Sequence, residues 1–321
     1  MSSPLSRITL SAAALTAATM AVIGSAPAMA VTAPLSRPRI ETHFDVGTGQ
    51  LPENIAFAPN GGVVVTLAAS RQVARIGADG VLKILATMPL PADGGVNTPV
   101  LKFALTTGIV RTTDGTIYFL YASGTSDLTG LWKLSPGGTP HRIAALPAQG
   151  LPNGLALNTH TGTLYLTDSV LGKIFAVSTQ GGAVSTFSSA PELASTGFLG
   201  VNGVKIRHGA VWVSNLDQGT VLRIPVGPRG EAGPVQTRAA GLAGIDDFSF
   251  IGQGDTILAA MDGPNTVDLI KADGTHSVVL DAKDGLQNPS AVGVRQGVVY
   301  VTSAAYTTQK DPNLLQALIT R

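Results

Sequence analysis

Six polar residues recur along the chain, and each begins a similar short phrase that leads into an apolar, strand-like run. They are Glu53, Thr107, Asn153, Asn202, Asp246 and Ser290, and subtracting their numbers in order gives spacings of 54, 46, 49, 44 and 44. The set holds two carboxylates, two amides and two hydroxyls, and no His or Cys. Such oxygen ligands suit hard cations such as Ca²⁺, Mg²⁺ or Mn²⁺ rather than a thiolate or imidazole zinc site. If they converge, they could hold an ion with an open position that polarises a carbonyl group.

Single members of this set also have an ordinary structural explanation. Asn followed by Gly is a common turn, and for Asn153 alone the turn interpretation is favoured. Glu53 is harder to explain in that way, because Glu has little turn preference and Pro52 places it at the start of a strand. Glu, Asn, Asn and Asp at equivalent positions of four repeats favour a metal site over coincidence.

The spacing of these residues predicts the fold. A period in the forties with several short strands per period is the signature of a β-propeller. Each repeat carries two hairpin signals, for example Asp114-Gly115 and Gly137-Gly138, so four strands form one blade. We therefore expect an all-β, six-bladed propeller of four-stranded antiparallel blades, in which the repeated polar residues meet at one end of the central channel.

The ends of the chain predict how the ring closes. The sixth repeat has room for one strand near 314–319 and is then one strand short. The segment 39–46 has an alternating pattern and no hairpin partner nearby. We expect it to supply the outer strand of the last blade, which removes an open sheet edge.

Two inserts lengthen the links between blades. Residues 88–104 join the first and second blades, and residues 188–200 join the third and fourth. These links reach the face that carries the polar ring, so they could wall a pocket there, with Phe198 and Leu199 as apolar contacts, or be merely variable loops. Asp168 and Asp262, which end second strands, are interpreted first as turn residues, with pocket contact as the alternative.

The composition and the N-terminal sequence predict the partners and the location of the protein. The net charge is +1 and charged residues make up 13% of the chain, so neither nucleic acid nor an anionic membrane is an expected partner. Arg7, an apolar run over 8–23 and a small-residue site ending at Ala30 predict a signal peptide over 1–30. A linker over 31–38 and a propeller over 39–321 follow. We expect a secreted or periplasmic monomer. It has no disulfides, because Cys is absent.

Several motifs resemble those of the gluconolactonase/regucalcin-like six-bladed propellers. They are Pro52-Glu53-Asn54, Asn153-Gly154-Leu155, Asn202-Gly203-Val204 and Asp246-Asp247-Phe248, while 260–264 (AMDGP) is similar to the drug-responsive lactonase branch. The resemblance implies one divalent cation held by Glu53, Asn202 and Asp246, with Asn153 near the substrate. Ca²⁺ is the expected ion, and Mg²⁺ and Mn²⁺ are the alternatives. Asp247 departs from the family, which usually has Gly or Ser there.

The resulting functional hypothesis is a divalent-metal-dependent hydrolase acting on a lactone or related ester. Asp246 or Asp247 would accept a proton from the attacking water, and Asn153 would orient the substrate or the oxyanion. Asp247 could instead tighten metal binding or point away. Two alternatives stay open: a propeller that binds ligands without catalysis, and a strictosidine-synthase-like enzyme that is not a hydrolase.

Overall fold

The computed structural model describes residues 34–59 and 61–320. The expected signal peptide over 1–30, the first three residues of the expected linker, Asn60 and Arg321 lie outside these ranges. Within the described residues, 24 strands form six four-stranded antiparallel sheets, which confirms the six-bladed, all-β prediction. No helix in this part of the chain is both long and apolar enough to cross a membrane.

Blades 1 to 5 each contain four consecutive strands, whereas blade 6 takes its outer strand from the start of the described chain. The first strand of the chain is β1 (Leu35–His43). Blade 1 contains β2 (Pro52–Phe57), β3 (Val63–Leu67), β4 (Gln72–Ile76) and β5 (Leu82–Thr87). Blade 2 contains β6 (Leu105–Arg111), β7 (Ile117–Ala122), β8 (Gly130–Leu134) and β9 (His141–Ala145). Blade 3 contains β10 (Pro152–Asn158), β11 (Thr163–Asp168), β12 (Lys173–Ser178) and β13 (Ser185–Ser188). Blade 4 contains β14 (Val201–Arg207), β15 (Ala210–Asn215), β16 (Thr220–Pro225) and β17 (Gln236–Ala239). Blade 5 contains β18 (Ile245–Phe250), β19 (Ile257–Met261), β20 (Thr266–Ile270) and β21 (His276–Leu280), and blade 6 contains β22 (Pro289–Arg295), β23 (Val298–Ser303), β24 (Asn313–Ile319) and β1.

The N-terminal strand closes the ring, as predicted, but its limits differ from 39–46. β1 pairs antiparallel with β24 and begins at Leu35, inside the segment expected to be a linker. A register shift between Ser36 and Arg39 lets the strand pass Pro38, which has no N–H to donate, at a sheet edge. The strand ends at His43 because the Asp45 side chain accepts the N–H of Gly47 and starts a short 3₁₀ helix over Val46–Thr48.

Tight turns with positive φ join the strands where the Gly-containing pairs predicted them. Gly115, Gly137 and Gly274 have φ of 93°, 71° and 86°. His208 and Gly209, with φ of 49° and 65°, have the left-handed conformation at both central positions that a type I′ turn requires. These turns fix the register of each blade.

A β-bulge interrupts the start of the innermost strand in all six described blades. The register shifts fall at 52–54, 106–109, 152–155, 201–204, 245–248 and 289–291. Each shift brackets one of the six repeated polar residues. A bulge leaves a residue unpaired and re-aims its side chain, so the fold releases this residue from the ladder in every blade.

Close approach between blades explains the glycines that follow two of these residues. Asn153-Gly154 and Asn202-Gly203 lie inside β10 and β14, so the turn interpretation of Asn153 is wrong. A Cβ on Gly154 would collide with the carbonyl oxygen of Asn202, and one on Gly203 would collide with Asp247. Glycine at these positions therefore lets neighbouring inner strands pack closely.

Buried hydroxyls tie neighbouring blades together at the same level. Thr66 donates to the carbonyl of Thr107 at 2.6 Å, and Ser214 donates to that of Asp246 at 2.5 Å. Thr167 donates likewise to Asn202. Thr66, Thr167 and Ser214 also accept an N–H of their own blade's bulged strand, from Asn54, Gly154 and Gly203. A single side chain thus satisfies an N–H freed by the bulge and bridges two blades.

The two inserts reach the face of the propeller where the inner strands begin. Residues 88–104 contain turns but no helix or strand, and 188–200 contain a 3₁₀ helix at Pro191–Leu193. Leu199 is buried in one cluster with Leu51, Leu105 and Leu151 above the ring residues, whereas Phe198 is 47% exposed. Leu199 therefore packs against other apolar residues of this face, and its role in a pocket wall stays a prediction.

Candidate functional site

The bulge residues of blades 1, 4 and 5 place three polar side chains, those of Glu53, Asn202 and Asp246, together at one end of the channel. Glu53, Asn153, Asn202 and Asp246 are all buried, each no more than 7% exposed. Burial raises the pKa of Asp246, and the negative charge of Glu53 raises it further. The side chain of Asn202 is hydrogen-bonded to Asp246 and partly offsets that shift. Glu53, Asn202 and Asp246 therefore share one electrostatic site.

Glu53 has a pKa raised to about 7, mainly because burial disfavours its charged form. The negative charges of Asp262 and Asp247 raise it further, while a hydrogen bond from the Tyr306 hydroxyl lowers it. That hydroxyl donates to Glu53 Oε2 at 2.5 Å. A carboxylate that is buried among other carboxylates attracts either a proton or a cation.

Asp262 belongs to the same site, although its position after β19 suggested a turn residue. Its charge raises the pKa of Glu53, Asp246 and Tyr306. Burial raises its own pKa to about 6, and its Oδ1 atom is buried without a hydrogen-bond partner. An orphaned carboxylate oxygen of this kind is available to a ligand, an ion or a water molecule.

The Asp247 carboxylate has different partners from that of its neighbour Asp246. Both of its carboxylate oxygens accept hydrogen bonds from the Lys205 ammonium, at 2.6 and 2.7 Å, and Asn54 Nδ2 donates to Oδ2 at 3.3 Å. This ion pair joins blades 4 and 5, and Asn54 links it to blade 1. The Asp247 carboxylate is therefore held by Lys205, although its charge still raises the pKa of Glu53 and Asp246.

The other members of the ring serve the framework. Thr107 donates to the carbonyl of Pro152 at 2.8 Å, and Ser290 donates to that of Pro52 at 2.7 Å, so both hydroxyls bridge blades. Asn153 donates from Nδ2 to the Ser169 hydroxyl at 3.1 Å. The amide of Asn153 is thereby oriented.

Tyr306 was missed from the sequence, and a signal for it existed. It lies in the connection 304–312 between β23 and β24, which is much longer than the corresponding connection 262–265 of blade 5. Extra length at a turn on the face that carries the polar ring indicates a segment that can reach the channel. The repeat pattern alone does not reveal it, because Tyr306 has no counterpart in the other blades.

The donor chemistry of the site fits a hard divalent cation only if an amide takes part. Among the described residues, no three His, Cys, Asp or Glu side chains are grouped so that they could hold a metal ion. Glu53 and Asp246 would need the Asn202 amide oxygen, with water, to complete a coordination shell. The raised pKa values of both carboxylates and the partnerless Asp262 oxygen agree with a site that would gain from positive charge.

Comparisons with known proteins agree with the fold described above. No protein-family model and no curated protein sequence matches the chain. Among solved structures, a gluconolactonase from Xanthomonas campestris matches with a TM-score of 0.65 and 14% identity, covering 90% of this chain and 91% of that one. A calcium-binding regucalcin from Agrobacterium tumefaciens matches with a TM-score of 0.64 and 16% identity, covering 89% and 96%.

The fold is that of the gluconolactonase and regucalcin propellers. The resemblance noted from the sequence motifs is thus confirmed at the level of fold. Virginiamycin B lyase from Staphylococcus aureus also matches, with a TM-score of 0.60, 16% identity and coverage of 85% and 82%. Since proteins with these different names share the architecture, the activity must be argued from the site.

Proposed function

We propose that the chain is a secreted hydrolase that depends on one divalent cation and acts on a lactone or related ester. The observation that supports this most directly is the meeting of Glu53, Asn202 and Asp246 at equivalent bulges of three blades, in a buried and mutually repelling carboxylate site. Their side chains would hold the ion, with Ca²⁺ expected. When bound, such an ion would supply Lewis-acid stabilisation of the developing oxyanion.

Proton transfer is assigned to Asp262 in preference to Asp247. Asp247 is neutralised by Lys205, whereas Asp262 carries a buried oxygen without a partner and a pKa of about 6, close to the pH at which a general base works best. Asp246 remains the alternative base suggested by the sequence. Asn153, oriented by Ser169, would position the substrate carbonyl.

The test combines metal binding with turnover. Glu53→Ala and Asp246→Ala should each abolish Ca²⁺ binding in isothermal titration calorimetry and reduce hydrolysis of γ- and δ-lactones by about 100-fold or more. Asp273→Ala, which alters an exposed turn between β20 and β21, is the matched control and should change neither. Full activity in EDTA would rule out the metal-dependent mechanism.

The same experiment separates the alternative functions. If the protein binds Ca²⁺ but hydrolyses no member of a panel of lactones and aryl esters, the ion braces a binding platform or serves a reaction other than hydrolysis. Secretion is tested separately, by expressing the full chain and determining whether the mature protein begins after Ala30.

A further inference from the structure

One position of the second strand places a side chain between neighbouring blades. It lies three residues before the residue that pairs with the one immediately preceding the repeated polar residue. In blade order its occupants are Val64, Tyr118, Tyr165, Trp212, Leu258 and Tyr300. Four are aromatic and pack towards the following blade, as Trp212 does against Phe250 and Tyr118 does in a cluster with Leu155. Blade 1 carries the smallest occupant, Val64.

A groove of about 650 Å³ opens beside Val64, the smallest of these six residues, between blades 1 and 2. Its walls are apolar and include Val64, Leu85, Ile117 and Leu134. Ile84, which also lines it, is 37% exposed. The volume is that of a site for a small organic molecule.

Three cationic side chains line the groove: Arg75, Lys83 and Arg111. Arg75 and Lys83 are direct cross-strand partners on β4 and β5, an arrangement of like charges that destabilises a sheet unless an anion balances it. The lining also includes one acid, Asp114, whose carboxylate already accepts hydrogen bonds from Thr112 and Thr116.

Arg111 has different contacts from the equivalent arginines of two other blades. Arg207 and Arg295, which also end innermost strands, lie over the rings of Phe250 and Phe57 at 4.6 and 4.8 Å. Among the described residues, the Arg111 guanidinium instead donates to one acceptor, the carbonyl of its neighbour Thr112. Within 34–59 and 61–320, none of the three cations that line the groove forms an ion pair.

We propose that this groove binds a small organic anion with an apolar body, of the kind represented by an alkyl carboxylate. The alkyl part would occupy the space beside Val64, where four other blades hold an aromatic residue. The carboxylate would be bound by Arg75, Lys83 and Arg111, because guanidinium and ammonium groups form strong charge-assisted hydrogen bonds with it. The site lies at the far end of the inner strands from Glu53 and does not depend on the proposed hydrolase activity.

The first experiment measures binding of hexanoate, octanoate and decanoate by isothermal titration calorimetry. Each added methylene should tighten binding by about fourfold until the groove is filled. Decanol, which lacks the charge, should bind more weakly than decanoate, and decyltrimethylammonium more weakly still. Equal affinity for decanol and decanoate, or no dependence on chain length, would overturn the proposal.

Two variants locate the site. Val64→Phe should fold, because other blades hold an aromatic residue at this position, and should abolish decanoate binding by filling the groove. Arg75→Glu combined with Lys83→Glu changes exposed residues only and should weaken binding by about tenfold or more. Lys310→Glu, in the same connection as Tyr306 at the opposite face, is the control and should leave binding unchanged. Decanoate affinity that survives the paired charge reversal would refute the site even if Val64→Phe does not fold.

Discussion

Replacing Glu53 by Gln should stabilise the metal-free protein in alkaline solution, although it removes a proposed ligand. Burial raises the pKa of Glu53 from 4.5 to about 7. Between these values the folded protein retains a proton that the unfolded chain has lost. The contribution of this proton to the free energy of unfolding is therefore complete below pH 4.5. It declines between pH 4.5 and pH 7 and is lost above pH 7.

The magnitude follows from the size of the shift. Moving one pKa from 4.5 to about 7 corresponds to about 3 kcal/mol of unfolding free energy. At pH 8 wild-type Glu53 must ionise beside Asp246 and Asp262, whereas Gln is neutral and can still accept the Tyr306 hydroxyl. For a chain of this length, the gain corresponds to a rise in melting temperature of about 5 °C. At pH 5 the same substitution should change stability by less than about 1 kcal/mol.

The assay is thermal unfolding in EDTA at pH 5 and pH 8, followed by circular dichroism. Glu192→Gln, at an exposed position in the second insert, is the matched control and should show no pH-dependent gain. Added Ca²⁺ should then restore the wild type at pH 8, by about 2.7 kcal/mol when the ion is at 100 times its dissociation constant, and should leave Glu53→Gln unchanged. An equal effect of Glu53→Gln at both pH values would refute the reasoning that burial and repulsion govern this carboxylate.

Three further predictions test closure, positioning and the ion pair in the channel. Deleting residues 35–43 should lower and broaden the calorimetric unfolding transition, because the sixth blade loses its outer strand; an unchanged melting temperature would contradict closure by β1. Tyr306→Phe removes the hydrogen bond that lowers the pKa of Glu53. The loss of Ca²⁺ affinity on acidification should therefore begin at a higher pH in calorimetric titrations from pH 5 to 8. An unchanged pH dependence of the affinity would exclude this role for Tyr306. Lys205→Met should destabilise the protein by about 3–5 kcal/mol in urea unfolding, because Asp247 is left buried without its cation. Adding Asp247→Leu to Lys205→Met should recover most of that loss, and equal destabilisation of the single and double variants would argue against the ion pair.

The fold was predictable because its signals are local and repeated. Paired Gly-containing turns and short apolar runs recur with nearly constant spacing, and each repeat independently specifies one blade. The limits of β1 were not predictable in the same way. The strand passes Pro38 through an irregular register, which only its partner β24 and its position at a sheet edge make possible.

The candidate site was predictable in its residue types but not in its geometry. Repeat position placed Glu53, Asn202 and Asp246 among the six ring residues, and the family resemblance selected these three as the expected ligands. Repeat position did not reveal the bulges, which depend on pairing between strands. Nor did it reveal Tyr306, which reaches Glu53 from 253 positions away in the sequence, from a connection that is longer than its equivalent in blade 5.

The adjacent residues Asp246 and Asp247 show why the bulge matters for function. The register shift between Ile245 and Phe248 leaves both residues out of the ladder, so one carboxylate joins Glu53 while the next reaches Lys205. The pKa values of Glu53 and Asp246 are raised, and within the described part of the chain neither carboxylate forms an ion pair with a basic side chain. The Asp247 carboxylate, in contrast, is neutralised by Lys205. The protein thus supplies a cation for Asp247 but none for Asp246, and it is the latter carboxylate, beside Glu53, that an ion from solution would stabilise.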